Sequence, residues 1–386
     1  MPGAKYLEPY RTLRLNEVVI PGAHDAGVYT QNSDNVQTQA LDIAGQAAAG
    51  CRFFDVRIAA HKSTVGGQTT YQHRAYHLDG SLVVNHKVKG TPGITSYQNV
   101  SHAGGWGGDL DSMLDQARVF VASNRTEFLI LKFSKCSNWA SVAQTCMQRL
   151  GPQHYTDGGN LNMKTVGELA GKVITVFDEE ARKEITPVIA RLGGRPHGIL
   201  FCKALYDKKT GKSKGYERGY YGLQYFGKFS STDKVAKNTA KQAQTLTSGA
   251  ATHIDALGMM YWTTTGVFGN IRDRNATMWS DTNVAALQKT WTSGLQSAIV
   301  ARFGAEIDSA MRLAQSSGGA LGGRLKAFMP NIVMMDFVDP GKCAVIDGLN
   351  AVAATSLLQL MVPAPRGPRR TPDPTVSYTK LSQMRA

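Results

Sequence analysis

The chain has 386 residues, 42% of them hydrophobic and 19% charged. That balance supplies a full globular core, suits one large domain or two ordinary ones, and excludes wholesale disorder. The formal net charge of +14 calls for an anionic partner: a membrane surface, a nucleic acid or a phosphorylated substrate.

The first residues, "MPGAKYLEPYRTLRLNE", hold no apolar stretch of the kind a secretory signal carries. No uncharged apolar run approaches the roughly 18 residues that a membrane span needs. The expectation is residence in the cytoplasm, or export by a route without such a signal, with action at membrane surfaces. Short apolar runs then recur along the chain: "VVIPGAH" (18–24), "CRFFDVR" (51–57), "SLVVNH" (81–86), "FLILKFS" (128–134), "KVITVFD" (172–178), "GILFCK" (198–203), "GMMYWTTT" (258–265) and "NIVMMDFV" (331–338). They are rich in Val, Ile and Phe and too short for stable helices, so they read as buried strands. Helical patterns lie between several of them. In "DLDSMLDQARVFVASN", Leu110, Met113, Leu114, Ala117 and Phe120 recur near a 3.6-residue period.

Eight strands alternating with helices predict a parallel sheet, and eight is the number that closes a β/α barrel. The fold class is therefore α/β, a distorted (β/α)8 barrel. The segment "QTTYQHRAYHLDG" between the second and third runs reads as a β-excursion, which makes one βα unit irregular. Residues 1–360 are expected to form a single catalytic barrel. Residues 361–386, with the proline-rich basic run "VPAPRGPRRTPDP" at their start, read as a disordered tail. Residues 203–241 carry ten Lys or Arg against three Asp or Glu, with seven aromatics interleaved. They read as a surface insertion suited to docking on an anionic interface, or as a merely solvated one.

The five cysteines, Cys51, Cys136, Cys146, Cys202 and Cys343, are widely spaced and include no C-x-x-C. That argues against a disulfide framework and a zinc site. Cys51 and Cys202 are expected to be buried thiols, and a Cys136–Cys146 bridge stays open.

Reactive side chains collect at the C-terminal ends of the predicted strands: His24 and Asp25, Asp55 and Arg57, His86, Lys132 and Ser134, Asp178, Lys203, and Asp336. In a β/α barrel these ends converge on one face, where such enzymes do chemistry. One buried His or Asp there is an ordinary structural group. Several together would cost a core too much unless they act.

"IPGAHDAG", then "GCRFFDVR", "LVVNH" and "FLILKFS", covering about residues 15–140, resemble the X-domain of phosphatidylinositol-specific phospholipase C, most of all its bacterial members. "PNIVMMDFV" fits the last barrel strand. The resemblance implies an enzyme that cleaves phosphatidylinositol, or a related inositol phospholipid, to diacylglycerol and cyclic inositol phosphate. It implies His24 as general base, His86 as general acid, Arg57 as the cation on the phosphate and Asp25 as the carboxylate beside the base. Asp336 is the candidate to orient His24, and Asp55 to brace Arg57 or His86. Lys132 matches an inositol-contacting position. Asp178, Lys203, Tyr261 and Trp262 are further substrate-binding candidates from their strand ends. The other seven histidines, His77 among them, are placed in loops or on the surface.

Arg57 stands where some members bind calcium with carboxylates, so the expectation is no metal and no cofactor, with calcium disfavoured. The expected partners are a phosphatidylinositol-type lipid and a peripheral anionic membrane surface, with no nucleic acid, and the chain is expected to be a monomer. Two other readings stand beside this one. A related barrel enzyme acting on a glycerophosphodiester or sphingomyelin would need a metal site with Glu, and no Glu lies among these strand ends. A non-enzymatic barrel that only binds anionic lipid has no use for two placed imidazoles.

Overall fold

Strict alternation of side chains along short strands builds the scaffold. Strands β1 (Ile20–Ala23), β2 (Phe53–Val56), β8 (Leu129–Phe133), β9 (Val173–Asp178), β10 (Ile199–Ala204), β11 (Gly222–Gly227), β12 (Leu257–Tyr261) and β13 (Pro330–Met335) pair in parallel. They close into a barrel where Ile20 meets Ile332 in register. The computed structural model describes residues 5–31, 35–77, 84–99, 104–191, 198–207, 214–227, 232, 234–248, 255–264, 270–291 and 330–361. The predicted tail at 361–386 lies outside these residues, apart from Met361 at the end of the last helix.

One face of each strand fills the barrel. Ile20, Phe53, Ile130, Ile174, Val176, Leu200, Leu223, Met259, Ile332 and Met334 form a single buried cluster. The alternate residues, such as Phe54, Leu131, Phe133, Phe177, Phe201, Met260 and Met335, form a second cluster shared with the surrounding helices. Both faces of the barrel sheet are thus largely apolar, as a parallel sheet covered by helices requires. Helices α1 (Ile43–Ala49), α2 (Leu110–Ser123), α3 (Trp139–Leu150), α5 (Arg182–Arg191), α6 (Val235–Ser248), α7 (Ile271–Met278) and the last helix, Pro340–Met361, surround the barrel, with a short turn α4 (Val166–Leu169). No helix among the described residues is long and apolar enough to cross a membrane.

Two expectations need correction. The described part of the run 81–86 lies in no barrel strand: β5 (Val84–Lys87) pairs, among the described residues, with β6 (Ser96–Asn99) in a two-stranded antiparallel sheet. The eighth barrel strand is instead β11, inside the stretch read as an insertion. There Tyr225 is buried inside the barrel, Phe226 is buried in a separate cluster with Leu205 and Ala256, and Tyr220 is buried too. The aromatics of that stretch therefore serve largely as core and anchors. Lys208, Lys209, Lys212 and Lys228 lie outside the described residues.

The predicted β-excursion is present and longer than expected. Only Arg57 separates β2 from β3 (Ile58–Val65), so the chain runs straight out of the barrel at its C-terminal end. It turns at Gly66-Gly67 and returns as β4 (Gln68–His77), antiparallel to β3. Both glycines have positive φ, 58° and 79°, the conformation that a tight two-residue hairpin turn demands. Strand β7 (Gly105–Asp109) completes this sheet and feeds α2, whose first turn is capped by Asp109 accepting from the Ser112 N–H at 2.8 Å.

The opposite end of the barrel is locked by a buried ion pair. Arg52 and Glu127, both fully buried, precede β2 and β8. Glu127 accepts from Arg52 Nε at 2.8 Å and from the Leu7 N–H at 2.9 Å, while Arg52 donates to the Ala47 and Cys51 carbonyls. Removing one partner of such a pair leaves an uncompensated buried charge. Glu127→Ala is expected to lower the unfolding free energy by about 3–5 kcal/mol in denaturant titration. Turnover per folded molecule should not change, because the reactive groups sit at the other end.

Candidate active site

Strand β1 delivers His24 and Asp25 to the C-terminal mouth. The His24 N–H donates to the Met335 carbonyl at 2.9 Å, which extends the β1–β13 ladder by one residue. Asp25 then adopts a left-handed backbone, φ 44°. Among non-glycine residues Asp is one of the few that tolerates this. Thr38 Oγ1 donates to the Asp25 carbonyl at 2.8 Å and Gln39 Nε2 to the His24 carbonyl at 2.9 Å, so the turn is held from outside. Asp336, one residue past β13, meets His24 Nδ1 at 2.9 Å. Asn275 Nδ2 donates to the second Asp336 oxygen at 3.1 Å. Asp336 thus contacts the ring it was expected to orient.

Asp55 and Arg57 lie two residues apart on the strand leaving β2 and face the same way. Arg57 Nε makes an ion pair with Asp25 Oδ1 at 2.8 Å. Asp55 accepts from Lys132 Nζ at 3.1 Å and from Ser134 Oγ at 2.8 Å. Lys132 is set opposite Asp55 by the β2–β8 register and also reaches Asp178 Oδ1 at 3.3 Å. Tyr261 points inward, its ring edge-on to His24 with centroids 6.3 Å apart.

His86 is not part of this cluster. Its side chain meets Asn99 Nδ2 at 2.9 Å and its ring stacks on Tyr97, both on the two-stranded sheet. The second imidazole is His77, whose Nε2 lies 3.6 Å from Asp25 Oδ2. His24 Nε2 lies 3.6 Å from the same oxygen. The hairpin register explains the exchange. Ile58 pairs with Ala75 and the Tyr76 N–H donates to the Arg57 carbonyl, so the next residue of β4 returns to the barrel mouth. The Gly66-Gly67 turn is the signal in the sequence that would have located His77.

Two further candidates stand elsewhere. Trp262 is fully buried outside the barrel wall and donates to the Met278 carbonyl at 3.2 Å. Lys203 pairs with Glu217 at 3.5 Å and lies over the Tyr220 ring. Of the histidines placed in loops or on the surface, His154 is buried and meets Thr175 Oγ1 at 2.9 Å. His102, His197 and His253 lie outside the described residues. All five cysteines are free thiols, so Cys136 and Cys146 are not bridged.

The charges are matched closely enough to survive burial. Burial works against a charged Asp25, but Arg57, His24 and His77 hold its carboxyl below the usual range. Burial likewise opposes a charged Asp55, yet Lys132 and Arg57 bring it down to about 2. Lys132 is desolvated too, and Asp178 and Asp55 more than restore its affinity for the proton. His24 is buried, which favours the neutral ring, but Asp25 and Asp336 raise its pKa above the ordinary value. For His77 burial wins over Asp25 and the pKa falls. Lys135, an exposed residue with φ 51°, stands near enough to Arg57 for that charge, with partial burial, to lower its ammonium pKa. Lys135 is a cation of the rim that sequence reasoning missed.

Asp55 gives an acid-stability signature. Its folded pKa of about 2 is below the ordinary 3.8, so its stabilising contribution is complete above 3.8 and is lost as pH falls towards 2. Unfolding free energies measured from pH 5 to pH 2 should decline through that window. Asp55→Asn should flatten the decline, and an unchanged slope would show that the carboxylate is not held as described.

His24, Asp25 and Asp55 place one ligand atom each within 4.8 Å of one another, close enough to consider a metal ion. The chemistry of the set fits poorly. Arg57 already neutralises Asp25 and Lys132 already neutralises Asp55. Calcium takes six to eight oxygen ligands, whereas this set offers an imidazole and two carboxylates that each carry a fixed cation.

A parallel β/α barrel with paired imidazoles, carboxylates and fixed cations at its C-terminal mouth has the makings of an acid–base enzyme site. Among solved structures the chain is similar to phosphatidylinositol-specific phospholipase C from Listeria monocytogenes, at 14% identity over 88% of this chain and 95% of that one, with a TM-score of 0.44. It is similar to the phosphatidylinositol-specific phospholipase C of S. aureus at 14% identity over 89% and 97%, TM-score 0.49. A calcium-dependent phosphoinositol-specific phospholipase C from Pseudomonas sp is similar at 14% identity over 66% and 84%, TM-score 0.36. No family model matches the chain, and no curated protein matches it.

Proposed function

We propose that the chain is a phosphodiesterase that cleaves phosphatidylinositol, or a related inositol phospholipid, by general acid–base catalysis without a metal ion. A hydroxyl of the headgroup attacks phosphorus, a new P–O bond forms, and the P–O bond to diacylglycerol breaks. His24 takes the proton of the attacking hydroxyl. His77 gives a proton to the departing oxygen. The product pair is a cyclic inositol phosphate and diacylglycerol, so atoms and charge balance without an external reactant.

The observation that carries this reading is the arrangement around Asp25. Two imidazoles stand 3.6 Å from one of its oxygens and a guanidinium stands 2.8 Å from the other. A phosphodiester anion needs a base, an acid and positive charge on its equatorial oxygens. Asp336 on Nδ1 fixes the His24 tautomer and supports its imidazolium. The raised pKa makes His24 the stronger base and the lowered one makes His77 the stronger acid, so the reactive form, His24 neutral and His77 protonated, is the minor of the two singly protonated states. The two rings share Asp25 and titrate as a unit, which gives a bell-shaped dependence of rate on pH. Lys132, Asp178 and Tyr261 line the same mouth with donors, an acceptor and an aromatic edge, the groups a ring of hydroxyls would use. His77, a fifth exposed, keeps an edge to solvent where a leaving group can depart.

The test is to incubate the protein with vesicles of mixed headgroups, with and without chelator, and to identify the water-soluble product. Cyclic inositol phosphate formed in both conditions is the expected result. Release of phosphocholine instead, or of no headgroup at all, would sink the reading.

A further inference from the structure

The arm formed by β3 and β4 brings His77 to the site at its base, and the rest of it leaves the barrel at the site's own end. Its base is buried and its outer half is exposed, ending at Val65, which is 77% exposed beside the Gly66-Gly67 turn. Eight residues of β3 span about 26 Å at ~3.3 Å per residue, so the tip stands well clear of the strand ends. The β5–β6 sheet packs on its side through Tyr97, which meets Tyr71 at 5.8 Å between ring centroids and lies under Lys62 Nζ at 5.4 Å. Asn138, at the start of α3, ties that sheet to the barrel mouth by accepting from the Thr95 N–H at 2.8 Å.

The charge of this arm has one sign. Among its described residues, 58–77 and 84–99, stand Lys62, Arg74, Lys87 and Lys89, with no Asp or Glu. Arg74 is used internally, donating to the Gly107 carbonyl. Lys62, Lys87 and Lys89 are exposed. An apolar tip, half-buried tyrosines behind it and lysines along the flank match the layers of a bilayer counted outward from its core: hydrocarbon edge, aromatic interface, anionic headgroups.

We propose that the β3–β4 arm, with the β5–β6 sheet on its flank, is a docking surface for an anionic phospholipid bilayer. It brings the barrel mouth to the membrane plane, and in this it rests on the reading of a lipid-borne substrate. A nucleic acid would also satisfy the lysines, but an exposed valine at the tip has nothing to gain against a phosphate backbone.

Binding to vesicles is measured apart from turnover. The full chain is sedimented with vesicles of phosphatidylcholine containing a third phosphatidylserine. The triple substitution Lys62→Gln, Lys87→Gln, Lys89→Gln should weaken partitioning about fivefold per lysine, roughly 100-fold together, and flatten its salt dependence. Val65→Ser should weaken it severalfold and leave the salt dependence unchanged. Neither change touches the catalytic cluster, so turnover of a soluble short-chain inositol phosphodiester should stay at the wild-type level. Wild-type vesicle binding by both variants overturns the proposal. So does loss by the triple variant of binding to a single-stranded oligonucleotide with vesicle binding intact, which would make the arm a nucleic-acid surface. If the catalytic reading fails, the soluble diester is not cleaved by any form, while the vesicle result still stands or falls alone.

Discussion

His24→Ala and His77→Ala are each expected to lower phosphodiester turnover at least 100-fold, roughly the least a positioned acid or base contributes, while His86→Ala keeps wild-type turnover. The contrast follows from what each ring touches. His24 and His77 both face Asp25 Oδ2, whereas His86 meets Asn99 and stacks on Tyr97. All three variants should stay folded. His77 sits on a rim, and His24 is a strand-end side chain whose loss removes a partner from Asp336 without opening an apolar void. Thermal melts check that point. A positioning role for Asp336 adds a finer readout: Asp336→Asn should lower kcat and shift the alkaline limb of the pH profile to lower pH, since that limb follows the higher pKa of the coupled pair, that of His24, and the negative charge that raises it is gone. If His86→Ala is the inactive variant and His77→Ala is not, the two-stranded sheet must rearrange around substrate, and the site described here is not the catalytic one.

How much of this could be read from the residues alone depends on where the governing signal lies. Asp55 and Arg57 share a face because strand periodicity is two, and that needs no tertiary information. Asp336 was legible as the residue closing the last apolar run, and the barrel then brings it to His24. The misplaced histidine has a specific cause. "SLVVNH" looks like a buried strand and drew the assignment, yet its described residues, from Val84 on, belong to a small sheet on the arm. The hairpin turn that fixes His77 was present as Gly66-Gly67, but only the pairing across β3 and β4 turns it into a position. Strand β11 was hidden for the opposite reason. It begins at a glycine and includes Gln224, so its apolar run is broken. Gln224 is fully buried because its amide exchanges hydrogen bonds with the Glu217 backbone, a contact no local pattern announces. Tyr261 and Trp262 could not be separated without the barrel. In a strand covered on both faces each looks like core, and only parity with Met259 tells that Tyr261 points in and Trp262 out.

The second large effect concerns Arg57. Arg57→Lys is expected to lower turnover about 100- to 1000-fold, in the range found when one preorganised donor to a developing charge is removed. Chelator should leave the wild-type enzyme fully active. Arg57 is buried, and burial alone would disfavour its charge. Asp25 and then Asp55 hold it protonated. Its Nε is spent on Asp25 at 2.8 Å, which leaves the terminal nitrogens of a planar fork for phosphoryl oxygens. A lysine keeps the charge but has no fork. It must choose between Asp25 and the phosphate. Keeping the charge also matters for interpretation, because Arg57→Ala would strand a buried carboxylate and destabilise the fold by about 3–5 kcal/mol. The lysine variant avoids that, so a lost rate with an intact melt reports on catalysis. Chelation tests the same cation from the other side. If Arg57 and Lys132 supply the positive charge around Asp25 and Asp55, no ion is needed to do so. Activity lost in chelator and restored by calcium would mean that the carboxylates release their internal cations to bind metal, and the acid–base reading would then have to be rebuilt around His24, Asp25 and Asp55 as ligands.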